Sequence, residues 1–239
     1  MSYAAWSVVA FEQPTAAKWN QLGDNDAYLK STILPLENGR WELCSETWTR
    51  TGNHTFTVSG DQTAKYRKYA KIRYKDGGNY EYGIIASSSY SSPNTTVTLI
   101  VNTDYAMAAT TITDTYISFS DNPQGFPDQF SYTPTVTGFT SNPTVSIKYT
   151  VKKGVCIIGL PRIEGTSNAG TVTITLPVLP STGAFVPIFC YDADAWQVTP
   201  AYFTISAGNA TATAYKTLLS NFTASGGKKI AEGYITYLI

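Results

Sequence analysis

"VSIKYTVKKGVCIIGLPRI", residues 145–163, decides the fold class. Val145, Ile147, Tyr149 and Val151 fall on one side of an extended chain and Ser146, Lys148 and Thr150 on the other, because side chains alternate across a strand. One face is therefore core. "KKG" supplies a turn, and "VCIIGLPRI" opens a second apolar run. Downstream, "EGTSNAG" turns into "TVTITLPVL", and strands are expected at "FVPIFCYD", "AYFTISAG", "NATATAYKTLL" and "KKIAEGYITYLI". Short strands at this spacing predict a C-terminal antiparallel β-sandwich, jelly-roll-like, over residues 137–239.

Upstream, "SDNPQGFPDQFSYTPTV" (120–136) holds three prolines and a glycine without periodicity, which predicts a rigid linker over 121–136. Residues 41–120 read as short alternating strands. In "KYAKIRYKDGGNYEYGII", Ile72 and Tyr74 alternate with Lys71, Arg73 and Lys75. "DGGN" gives a positive-φ hairpin turn, and Tyr80, Tyr82 and Ile84 resume the apolar alternation. With a second hairpin at "SPNTT", this stretch is expected to close a small β-barrel module. Residues 1–40 contain the one helical pattern, "EQPTAAKWNQLGDNDAYL" (12–29), with Trp19, Leu22, Asp26 and Leu29 at helical spacing. Gly23 costs about 1 kcal/mol of propensity, so the helix needs a surface to rest on, either its own domain or a docking partner. The expected fold is mainly β with a short N-terminal helix.

The 239 residues carry 17 Lys+Arg against 17 Asp+Glu, so no global field draws the chain to nucleic acid or anionic lipid. Charged residues are only 14%, while Tyr (17) and Trp (5) are plentiful, a composition of neutral aromatic β surfaces. "AAWSVVAF" lacks the basic flank and cleavage site of a signal peptide. No run approaches the roughly 18 apolar residues of a membrane span. Folding in a cytoplasm, without membrane insertion, is expected. Cys44, Cys156 and Cys190 lack zinc-site spacing and read as small buried hydrophobes, with a Cys156–Cys190 disulfide as the alternative.

No catalytic constellation, metal site or cofactor motif emerges, and no enzyme is expected. The single histidine, His54, lies in a turn-like "GNHTF", and no GxSxG or P-loop occurs. Asp192 and Asp194 in "YDADAW" stand two apart, so on a strand both would face one side about 7 Å apart. Trp196 would share that side. With Tyr191 these residues are candidate sugar contacts; the competing reading is a loop in which Asp caps turns and Trp packs. Six of the 17 basic residues fall between Lys65 and Lys75 among tyrosines, which reads as a solvated strand face or a stripe meeting an acidic protein. In the final "YITYLI", Tyr234 and Leu238 fall on one side and Ile235, Tyr237 and Ile239 on the other. Such a strand must be covered, by its own sandwich or by neighbouring subunits.

"PTAAKWNQLGDNDAYL", "FTVSGDQTAKYRKYAKIRY", "DNPQGFPDQFSYTPTVTGF" and "EGTSNAGTVTITLP" together resemble segments of tailed-bacteriophage virion structural proteins, in this order along nearly the whole chain. The resemblance implies a non-enzymatic virion surface protein assembled in the bacterial cytoplasm as a homotrimer. Its role would be a tail fibre or receptor-binding component contacting host glycan, or a capsid decoration protein or head fibre. It also implies that Trp6, Phe11, Trp19, Leu22 and Leu29 anchor the chain to other virion proteins.

Overall fold

A computed structural model describes residues 16–28, 39–101, 106–108, 111–217 and 220–239. The expected helix forms as α1 (Ala16–Tyr28). Within it Asn25 is buried and Leu22 is 40% exposed, so Leu22 is not part of a buried apolar stripe. Trp6, Phe11 and Leu29, and the side chain of Trp19, lie outside what is described.

The rest is mainly antiparallel β. The described residues divide into two compact units, one drawn from Met1–Thr51, Phe56–Val97 and Ala108–Phe126, the other from Gly52–Thr55, Thr98–Met107 and Pro127–Ile239. An N-terminal sheet contains β1 (Glu42–Leu43), β2 (Thr49–Gly52), β3 (Thr55–Ser59), β4 (Lys71–Asp76), β5 (Asn79–Ser91), β6 (Asn94–Ile100) and β7 (Ile112–Ser118). Its order, β1-β7-β4-β5-β6-β3-β2, is that of an open sheet. The closed barrel expected from the sequence is thus corrected: the edge strands β1 and β2 are only two and four residues long, too short to seal the sheet on itself.

The β4–β5 hairpin forms as the alternation predicts. Gly77 and Gly78 take φ values of +64° and +98°, which the tight turn requires, and Ile72 and Tyr74 are fully buried. Beneath the sheet Trp48 stacks on Phe56 at 4.0 Å and donates its indole N–H to Tyr66 Oη at 2.8 Å. One expectation changes. The register places Arg73 opposite Tyr82 and Lys75 opposite Tyr80, so these tyrosines share the face of the cations rather than the core face. The Arg73 guanidinium lies 5.0 Å from the Trp41 ring, 4.7 Å from Tyr80 and 4.4 Å from Tyr116. Lys75 lies 5.1 Å from the Tyr80 ring and pairs with Asp114 at 2.7 Å. Lys71 lies 5.2 Å from Phe126 and donates to the carbonyls of Ser120 and Asp121. The basic stretch is a ladder of cations seated on aromatic rings.

Residues 121–136, expected as a linker, are used by both units. Trp41 Nε1 donates to the Gln124 carbonyl at 2.7 Å, and Phe126 packs edge-on against Tyr82 at 5.9 Å. Beyond Pro127 the chain enters β8 (Phe130–Tyr132) and β9 (Val136–Thr137).

The second unit continues with β10 (Ile147–Lys152), β11 (Val155–Leu160), β12 (Ile163–Thr166), β13 (Val172–Thr175), β14 (Ala184–Ile188), β15 (Cys190–Asp192), β16 (Ala195–Trp196), β17 (Ala201–Ile205), β18 (Thr211–Tyr215), β19 (Gly227–Ile230) and β20 (Gly233–Leu238). They form sheets ordered β20-β11-β10-β8, β14-β17-β18-β13-β9 and β12-β19-β15-β16. Three runs that read as single strands each bend from one sheet into another. The chain leaves β11 for β12 at Pro161, whose missing N–H cannot continue a ladder, and it crosses likewise at Phe189 and at Ala231–Glu232. The core gathers Ile147, Tyr149, Cys156, Ile158, Val172, Ile174, Phe203 and Ile235.

Candidate functional site

The sheet β12-β19-β15-β16 separates two chemistries by the alternation of its strands. Its inner face carries Ile163, Cys190, Asp192, Lys228 and Ile230, all buried. Its outer face carries Glu164, Tyr191, Trp196 and Lys229.

Inside, Asp192 is 1% exposed and fully engaged. Its carboxylate pairs with Lys216 at 2.9 Å and accepts from the Thr223 N–H at 2.9 Å and the Thr223 hydroxyl at 3.1 Å. Burial alone raises an aspartate, but Lys216 and Thr223 outweigh it and hold Asp192 below the usual range. Lys228 is wholly buried, with Nζ donating to the carbonyls of Ala169 (2.6 Å) and Gly138 (3.3 Å) and lying 5.0 Å from the Phe222 ring and 5.7 Å from Phe139. Burial pushes the Lys228 ammonium below the ordinary lysine value, opposed by the charge of Asp192. Around it, the Ser167 hydroxyl donates to the Thr223 carbonyl and the Phe222 N–H to the Gly170 carbonyl at 2.7 Å. The "TSNAG" phrase (166–170) is thereby the wall of a buried polar cluster, and its local chemistry is structural.

Of the two readings of Asp192 and Asp194, the same-side pair on a strand does not form and the turn reading does. Residues 192–195 are a hairpin rather than a continuous strand, with Ala193 at φ +49° and Asp194 at +63°, the two positive values of a type I′ turn. The turn sends Asp192 inward and Asp194 out to solvent, where Asp194 Oδ1 accepts the Gly227 N–H at 3.0 Å. Gly227 lets this bond form at close range: a Cβ would lie 2.4 Å from Asp194 Oδ1, so the Asp194 carboxylate would have to move aside.

Outside, Trp196 pairs in register with Tyr191, Tyr191 with Lys229, and Lys229 with Glu164. The contacts follow the register. The Trp196 and Tyr191 rings meet edge to face at 5.6 Å, Lys229 Nζ lies 5.0 Å from the Tyr191 ring, and Lys229 pairs with Glu164 at 3.3 Å. Arg162 closes the row on Glu164 at 2.5 Å and holds that carboxyl below its ordinary value. Trp196 is 57% exposed. Sequence reading found Tyr191 and Trp196 but missed Lys229, Glu164 and Arg162, because "RIEG" and "KKI" become neighbours only through the register of β12 and β19.

Among the described residues no group of three or more metal-ligating side chains comes together, and no helix is long and apolar enough to cross a membrane. His54 is exposed, with its backbone carbonyl accepting from Leu99 N at 2.8 Å. The three cysteines are buried free thiols. Of the C-terminal residues, Ile235, Tyr237 and Ile239 are buried in their own unit, the Tyr237 hydroxyl donating to the Val178 carbonyl at 2.8 Å. Tyr234 (74%) and Leu238 (50%) point to solvent. Of the five residues expected at a subunit interface, these two have side chains free to meet another surface. No family model matches the chain, and no curated protein matches it.

Proposed function

We propose that this chain is a non-enzymatic surface protein of a tailed-bacteriophage virion, a trimeric tail-fibre or receptor-binding component that holds host glycan on its C-terminal unit. The observation that carries the reading is the exposed Trp196 meeting half-buried Tyr191 on a strand face, flanked by charged hydrogen-bonding groups. Aromatic rings offer flat apolar area to the C–H face of a sugar, and the polar tips beside them fix orientation. Repetition of a weak site in a trimer would raise avidity through effective concentration. The phage-like segments quoted above and the neutral, tyrosine-rich β composition support the virion class. In the finer fold reading, residues 137–239 form a jelly-roll-like sandwich.

A second reading, a capsid decoration protein or head fibre, is favoured by the solvent-facing Tyr234, Leu238, Phe185 and Phe189, which suit burial against a neighbour better than display. Immunogold microscopy with antibody against residues 130–239 separates the two. Label at the tail supports adhesion, label over the head supports decoration, and label on neither removes the virion reading.

A further inference from the structure

Resting on the glycan reading above, we infer that the outer row Trp196–Tyr191–Lys229–Glu164–Arg162 is a binding strip for a neutral oligosaccharide laid across the strands of the sheet, with Glu164 as its selectivity residue.

The row crosses β16, β15, β19 and β12 in register, three inter-strand gaps of about 4.8 Å, or about 14 Å. That length suits a chain of sugars better than one ring. The chemistry changes along it. At one end Trp196 and Tyr191 present aromatic surface; at the other, Glu164 is bracketed by Arg162 at 2.5 Å and Lys229 at 3.3 Å. A sugar hydroxyl both donates and accepts, so a vicinal pair can give to Glu164 and take from Arg162 or Lys229 without either charge losing its partner.

Charge argues against an acidic ligand. Arg162 and Lys229 both pair with Glu164, and Asp194, whose Oδ1 accepts the Gly227 N–H, adds a second negative charge at the adjoining hairpin. Both cations already face Glu164, and Lys229 also spends its charge on the Tyr191 ring at 5.0 Å. An incoming carboxylate would meet Glu164 head-on and would have to displace it, whereas a hydroxyl would not. The row is also stiff before any ligand arrives: Gln197 Nε2 donates to the carbonyls of Asp192 and Ala195, and Asp194 ties the hairpin to Gly227. Little ordering is left to be done on binding.

The test is calorimetric titration of the full chain with neutral tetrasaccharides of gluco-, galacto- and manno-configuration, and with tetragalacturonate as the acidic counterpart. Expected is millimolar binding of at least one neutral probe and none of tetragalacturonate. Trp196→Ala should weaken it at least tenfold. Glu164→Gln, which keeps shape and removes charge, should weaken the neutral probe several-fold and admit tetragalacturonate. Neutral binding that falls with Trp196→Ala but ignores Glu164→Gln overturns the strip and leaves the aromatic site standing. Tetragalacturonate binding to the unaltered chain overturns the neutral assignment. No binding of any probe overturns both the strip and the glycan reading.

Discussion

Lys228 Nζ donates to the carbonyl of Ala169 at 2.6 Å with its whole side chain out of reach of solvent, and among the described residues no carboxylate pairs with it directly. Asp192, whose charge acts on Lys228, is already held by Lys216 at 2.9 Å. The ammonium is therefore neutralised by carbonyl dipoles and ring faces rather than by an ion pair. Lys228→Ala should destabilise by about 3 kcal/mol, leaving a cavity and depriving the Ala169 and Gly138 carbonyls of their ammonium donor, with only the longer bonds from Ser167 Oγ (3.3 Å) and Asn168 N (3.4 Å) remaining. Lys228→Met, which refills the volume and removes a desolvated charge, should cost about 1 kcal/mol. Urea midpoints of the two variants check the order.

Asp192 gives the protein an acid limb. Its carboxyl is lowered in the folded state, so the unfolded chain binds more protons as pH falls below the ordinary aspartate value of 3.8. Its contribution is complete above that value and is lost as pH drops through the lowered one. Asp192→Asn should flatten the decline of stability below pH 4 and, by orphaning Lys216, lower stability at pH 7 by about 2 kcal/mol or more. Thermal unfolding from pH 2 to 7 tests both effects.

Ala193 occupies the first positive-φ position of its turn at +49°, a conformation costing an L-residue about 1 kcal/mol. Ala193→Asn should stabilise by about 0.5–1 kcal/mol and leave sugar binding intact. A lower melting temperature would contradict this.

Arg73 meets three rings, each contact being worth about 0.5–1 kcal/mol. Arg73→Ala should cost about 2 kcal/mol, and 1 M salt should change that loss little, because the partners are rings rather than carboxylates. A loss that vanishes in high salt would instead identify an ion pair.

Burial pushes each of the Cys44, Cys156 and Cys190 thiols up to about 11. A disulfide-exchange reagent at pH 8 should find no reactive thiol in the folded chain and three after denaturation. Above pH 9 their raised values add to an alkaline loss of stability, since the unfolded chain then releases protons that the folded one keeps.

Local patterning was readable and long-range register was not. The period-2 alternation around Ile147 and Tyr149, the "DGGN" turn and the helix beginning near Ala16 all follow from neighbours in sequence. Tyr80 and Tyr82 were assigned to the wrong face because only pairing with Arg73 and Lys75 reveals which side they share. "YDADAW" is open to a strand or a loop reading, and the turn is the one that forms; nothing in Ala193 announces the positive φ that decides it, a conformation usually marked by Asn or Gly. Three of the five residues of the outer row, Lys229, Glu164 and Arg162, were invisible because Glu164 and Lys229 are 65 positions apart in the chain (229 − 164) and adjacent only in the sheet.

The pairing of β11 with β20 has a consequence during synthesis. Val155 finds its partner only at Leu238, 83 positions later (238 − 155). At roughly 5–20 residues per second a ribosome needs about 4–17 seconds to supply it. For that interval one side of β11, with Cys156, Ile158 and Leu160 on its core face, has no strand to bond. The nascent chain is then open to wrong partners, including β11 of another copy, so the yield of properly folded protein should depend on chaperone supply and on expression rate more than the stability of the finished fold would suggest.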